Sequence, residues 1–150
     1  MKRIYQSVIM LLVLTTALMS CKSDSVSPEK KASNSLSGTW VTAGGYVKVS
    51  GTDVTNDYTN FSISFSTTNT GEHVYTVANG GHAFAGITAD VWSFDGSGFT
   101  ALRRNSDDVV MSYTIADKFL TLTFTLPDPV VDDGRVSGLY GAFEMKLAKK

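Results

Sequence analysis

The chain has 150 residues, with 13 Lys and Arg against 14 Asp and Glu, a formal net charge of −1 and one cysteine. No stretch concentrates Lys or Arg, which argues against nucleic acid as a partner, because phosphate backbones are held by clustered cations. A single cysteine excludes an intrachain disulfide, so the fold must rest on its apolar core.

Lys2 and Arg3 precede the apolar run Val8-Ile9-Met10-Leu11-Leu12-Val13-Leu14, and Leu18-Met19-Ser20-Cys21 closes the segment. A basic start, a short apolar stretch and a small residue at the cut predict a secretory signal peptide over residues 1–20. The run falls short of the roughly 20 residues that a membrane span needs. Removing it takes two of the 13 basic residues and leaves 11 against the 14 acidic ones. A lone thiol exposed to an oxidising compartment is a liability, so Cys21 calls for a chemical role at its position.

Residues 21–35 hold Cys21 and a Ser- and Lys-rich stretch with one proline and few apolar side chains. Such a segment cannot bury enough surface to order itself. It reads as a flexible tether with a reach on the order of 20 Å. From Leu36 the pattern changes to period two, the signal of half-buried strands. Phe61, Ile63 and Phe65 alternate with serines; Val109, Met111, Tyr113 and Ile115 share a face; Leu120, Leu122 and Phe124 alternate with threonines. Leu139, Gly141, Phe143, Met145 and Leu147 form the apolar face of a last strand within 136–148, which closes the sheet. Weaker patterns lie at 39–49, 72–78, 88–94 and 98–104. No segment of this region carries a helical period.

Turn residues separate these strands. Ser50-Gly51-Thr52-Asp53, Asn69-Thr70-Gly71, Asn79-Gly80-Gly81 and Asp95-Gly96-Ser97-Gly98 all tolerate positive φ. Ala116-Asp117-Lys118 is short enough for a hairpin. Pro127, Pro129 and Asp132-Asp133-Gly134 make a long loop before the last strand. Eight or so short strands at this spacing predict one all-β domain over residues 36–150. The expected architecture is an antiparallel up-and-down barrel of about eight strands, with a β-sandwich as the alternative.

Chemistry-bearing patterns are sparse. Zinc needs three or four convergent ligands, whereas the histidines are His73 and His82, and Glu72 points away from His73 on a strand. Asp128, Asp132 and Asp133 do not have EF-hand spacing. No Gly-x-Ser-x-Gly elbow occurs, and Gly96-Ser97-Gly98 lacks the rest of a nucleotide fingerprint. Neither an enzyme, a cofactor nor a metal is expected. The aromatics Tyr46, Tyr58, Tyr75, Phe84, Trp92, Phe94, Phe99 and Tyr140 lie outside the clear apolar faces. They either fill the core or line a pocket. Tyr75, Trp92, Phe94 and Tyr113 are the candidate ligand-binding residues. Of the adjacent Arg103 and Arg104 only one can point inward, toward an acidic ligand, unless both serve a charged outer face.

Leu18-Met19-Ser20-Cys21 resembles the lipobox of bacterial lipoproteins. That resemblance implies a diacylglyceryl group on the Cys21 sulfur, cleavage before Cys21 and acylation of the new amine, and two or more acyl chains anchor a protein stably. Lys22, in place of aspartate, implies transfer to the outer membrane, facing the periplasm or the surface. Leu36-Ser37-Gly38-Thr39-Trp40 resembles the opening of lipocalins and of small lipocalin-like bacterial lipoproteins, whose first strand carries Gly-x-Trp. Gly38 and Trp40 match that motif. The resemblance implies that Trp40 plugs the closed end of the barrel and that an arginine packs on it, with Arg103, Arg104 and Arg135 as the choices. Trp92-Ser93-Phe94-Asp95-Gly96 and the hairpin from Tyr113 to Thr123 are similar to the aromatic strand, turn and hairpin of those lipoproteins. The implied function is a lipid-anchored envelope lipoprotein with the membrane as partner and a small apolar or amphipathic ligand. The alternative is a non-catalytic β-sandwich module that binds glycan or protein at the envelope.

Overall fold

The computed structural model describes residues 26–84, 86–127 and 140–150. The leader, Cys21, Arg135, Leu139 and the acidic loop with Asp128, Asp132 and Asp133 lie outside them. Each period-two segment of the sequence becomes a strand. The strands are β1 (Gly38–Val49), β2 (Thr52–Asp53), β3 (Ser62–Thr67), β4 (His73–Ala78), β5 (Ala89–Phe94), β6 (Ala101–Arg104), β7 (Val110–Ala116), β8 (Phe119–Leu126) and β9 (Gly141–Lys149). Tight 3-10 turns lie at Thr55–Tyr58 and Gly81–Phe84. Strand β6 is shorter than the 98–104 pattern suggests, because Phe99 turns to a φ of +52° just before it.

All neighbours are antiparallel, in the order β1-β3-β4-β5-β6-β7-β8-β9, and β9 returns to pair with β1. The short β2 folds back on the end of β1. The domain is therefore a closed eight-stranded up-and-down barrel with one extra strand, and not a sandwich. Closure satisfies the backbone groups that an open edge would expose. The inward positions are those the alternation marked: Ile63, Phe65, Leu102, Met111, Leu120, Leu122, Phe143, Met145 and Leu147 are all buried.

Closure forces one irregularity. The β1–β9 register shifts between Val41 and Tyr46. Gly44 there has a φ of +80°, and a Cβ on Gly45 would lie 1.8 Å from the Lys146 carbonyl oxygen. Only glycine lets the two strands approach so closely.

The segment read as a tether is in part a helix. α1 (Pro28–Leu36) begins with Ser27 as N-cap, whose Oγ accepts from the Lys30 N–H at 3.2 Å. Pro28 takes the first turn and Glu29 meets the positive end of the helix dipole. α1 buries Ser33 and Leu36 against the barrel, and Ser33 Oγ lies 3.5 Å from Thr67 Oγ1 on β3. The packed part of the chain thus begins before Leu36.

Candidate functional site

α1 lies at the barrel end formed by the start of β1, β4, β6 and β8 and the finish of β3, β5, β7 and β9. Trp40 is the plug there. It is 1% exposed, and its Nε1 donates to the Leu36 carbonyl at 2.8 Å, which ties α1 to β1. Gly38, two residues before it, adopts a φ of +118° as the chain turns from α1 into the strand. The cation on the Trp40 ring is Lys149, with Nζ 5.1 Å from the centroid. Neither Arg103 nor Arg104 is the expected partner of Trp40, and Arg135 lies outside the described residues. Arg103 points outward and pairs with Asp95 at 2.8 Å, while Arg104 points inward at the opposite end.

Behind Trp40 lies an aromatic layer. The His73 imidazole stacks on Trp92 at 4.4 Å and 18°, Phe65 and Phe94 meet Trp92 edge-on, and Phe94 meets Phe99 at 5.2 Å. His73 Nδ1 is 3.0 Å from Thr67 Oγ1, and its Nε2 is 3.8 Å from Glu29 Oε1 on α1. Trp92 Nε1 is buried without a hydrogen-bond partner, a costly arrangement for a polar group. Phe99, at positive φ, is strained for a bulky side chain. The Tyr113 hydroxyl holds it by donating to the Phe99 carbonyl at 2.6 Å. Burial pushes the Tyr113 phenol above its ordinary pKa, so it stays a donor.

These residues border two grooves on either flank of α1. One, of about 570 Å³, runs between α1, the turn at Phe99 and Thr100, and β7. Its apolar walls are Ala32, Phe99, Tyr113 and Ile115, and the exposed Lys31 stands on its border. The other, of about 290 Å³, lies between α1 and the β3–β4 hairpin and is polar, with Glu29, Lys30, Asn34, Thr67 and His73.

The opposite end is filled. Phe84, from the Gly81–Phe84 turn, is fully buried and stacks on Phe61 at 5.5 Å, with Tyr75 and Phe124 each 6.1 Å away. Arg104 is also fully buried, its guanidinium 5.1 Å from the Phe84 ring and 5.7 Å from Phe124. Its Nη1 donates to the Ala83 carbonyl at 2.9 Å. Its Nε and Nη2 grip the Asp107 carboxylate in a bidentate pair. Tyr75 donates to Asp90 at 3.4 Å, and its pKa is raised, chiefly by burial. Burial pushes the Asp90 carboxyl up, but hydrogen bonds from Ser106, Val91 and Tyr75 outweigh it and hold the group below its ordinary value. An acidic ligand has no access to Arg104 while Asp107 holds it.

The four candidate ligand residues therefore separate. Tyr113 lines the apolar groove, and Phe94 supports its wall through Phe99. Tyr75 and Trp92 are 0% and 3% exposed and serve as interior packing. Ala32 and Ile115 were not among the candidates. Ile115 shares a strand with Tyr113, which was a usable signal, but only the position of α1 reveals Ala32. His73 and His82 lie at opposite ends, and among the described residues no three His, Cys, Asp or Glu gather as a metal site. No protein-family model matches this chain, and no curated protein or solved structure matches it.

Proposed function

We propose that the protein is a lipid-anchored envelope lipoprotein that binds a small amphipathic ligand on the outside of its barrel. The ligand site is the groove between α1, the turn at Phe99 and Thr100, and β7. One observation carries this: aromatic side chains and the Arg104 guanidinium occupy the interior, whereas the groove offers apolar walls with Lys31 beside them. Binding sites of this kind combine apolar lining with a few placed polar groups. An acyl or aromatic body against Phe99 and Ile115, with an anionic or polar head toward Lys31, fits that layout. Anchorage rests on the leader and on the lipobox-like ending at Cys21, and Lys22 favours the outer membrane. The reading includes no catalytic step.

Two measurements test it. Cys21→Ser should release the protein from membranes or block its processing; a variant that stays in the membrane fraction at normal mature mass refutes lipidation. Native mass spectrometry of envelope-purified protein should find a non-covalent small molecule, lost when Ala32→Trp fills the groove. A bound mass that survives Ala32→Trp, or no bound mass at all, rules the groove out.

A further inference from the structure

We infer that the α1 end of the barrel lies against an anionic membrane surface, with the opposite end turned away from it. This rests on Cys21 as the lipidated residue. The first described residues follow Cys21 closely, so even a fully extended chain lets Ser27 stand no more than roughly 20 Å from the anchor. The end that α1 caps is thus the end held near the lipid.

The charges divide the same way. At the α1 end stand Lys30 and Lys31 on the helix, Lys118 in the β7–β8 turn, Lys149 at the end of β9 and Lys150 after it, all exposed. Lys118 and Lys149 are neighbours, since the Lys149 N–H donates to the Lys118 carbonyl, and the Lys150 N–H donates to Thr39. Among the described residues the acidic groups there are Glu29, facing His73, Asp95, paired with Arg103, and Glu72 and Asp117. Among the described residues the opposite end carries Asp53, Asp57, Asp90, Asp107 and Asp108 against Lys48 and Arg104, with Arg104 buried on Asp107 and Asp108 3.9 Å from Arg103. Val26, just before the N-cap, is the large apolar side chain that the described residues leave exposed, at 42%. Lysines near anionic headgroups are attracted to them, an effect that salt screens, and an adjacent apolar side chain adds contact at the interface.

Lysine acetylation footprinting of the purified mature protein tests this face. The probes are vesicles of phosphatidylglycerol with phosphatidylethanolamine, and vesicles of phosphatidylcholine alone. Lys30, Lys31, Lys118, Lys149 and Lys150 should be protected several-fold on the anionic vesicles, with Lys48 unchanged, and high salt should remove the protection. The double variant Lys30→Glu/Lys31→Glu should weaken binding to the anionic vesicles by about tenfold or more, and so remove most of the protection of Lys118, Lys149 and Lys150. Equal protection of Lys48, or none at the α1 end, overturns the inference. The intact mass of the same sample reports on Cys21 separately. Protection with an unmodified Cys21 overturns the anchor and leaves the docking face standing. An acylated Cys21 without protection does the reverse.

Discussion

The plug at one end of the barrel belongs to the sheet's own connections, while the plug at the other is a separate helix. Phe84 comes from the β4–β5 connection, and Arg104 and Asp107 come from the end of β6 and the turn that follows it. Phe84 and Arg104 meet inside, and Asp107 caps the guanidinium from the surface. α1 instead lies on the rim, buries only Ser33 and Leu36, and is tied in through Trp40, Thr67 and the Glu29–His73 approach. The first kind of closure fills the volume where a carrier would keep a cup. The second leaves grooves along the helix, and its energy is local enough for the helix to move without unfolding the barrel.

Four substitutions test that contrast, starting with the largest effect. Trp40→Ala removes a side chain that is both a core plug and the anchor of α1. It should cost roughly 3–5 kcal/mol, the usual range for a buried large aromatic, read as a lower midpoint on denaturant melting. Asp107→Ala should come next, at about 3 kcal/mol, because it strands a buried guanidinium. Adding Arg104→Met should recover most of that loss, since an apolar chain of similar length needs no counter-ion. A double variant as unstable as Asp107→Ala alone would show that the ion pair itself, and not the stranded charge, holds this end.

Ser27→Ala removes the N-cap of α1 and should cost about 1 kcal/mol. The effect should appear as faster amide exchange in Pro28–Leu36 with the barrel strands unchanged. If the strands exchange faster in step, α1 is not a separable lid. The smallest effect is Asp90→Asn. The folded protein holds the Asp90 carboxyl below its ordinary value of 3.8. Its contribution is therefore complete above that value and is lost as pH falls through the lower folded one. Wild type should lose more stability than Asp90→Asn on acidification below about pH 4, measured by parallel melts across that range.

The strands were legible because their apolar positions alternate without interruption, as in Phe61-Ile63-Phe65 and Leu120-Leu122-Phe124. With one face inside a closed barrel, a single-residue slip would expose them all, so sequence and register are tightly linked. α1 was missed because its buried face is a serine and a leucine, too little for a helical period. The start signal was nonetheless present, in Ser27-Pro28-Glu29 as cap, first turn and acidic residue. Arg104 was narrowed only to one of two adjacent arginines. Its position depends on Ala83, Phe84 and Phe124, which no local pattern connects to it. The groove depends on α1 meeting β7, and it could not be read before the helix was known.

The β1–β9 seam has a consequence for how the chain folds. It pairs Trp40 with Lys149 and Val49 with Phe143, so the first and last strands of the domain meet across nearly the whole length of the domain. Folds ruled by such distant pairings cross their barrier slowly, on the order of milliseconds to seconds. Until β9 arrives, β1 and β8 each present a bare edge to any other strand nearby. The glycine pair opposite Lys146 bears on the same step, because it lets the seam form without a side chain in the way. Substituting Gly45 should therefore show first as slow or aggregating refolding.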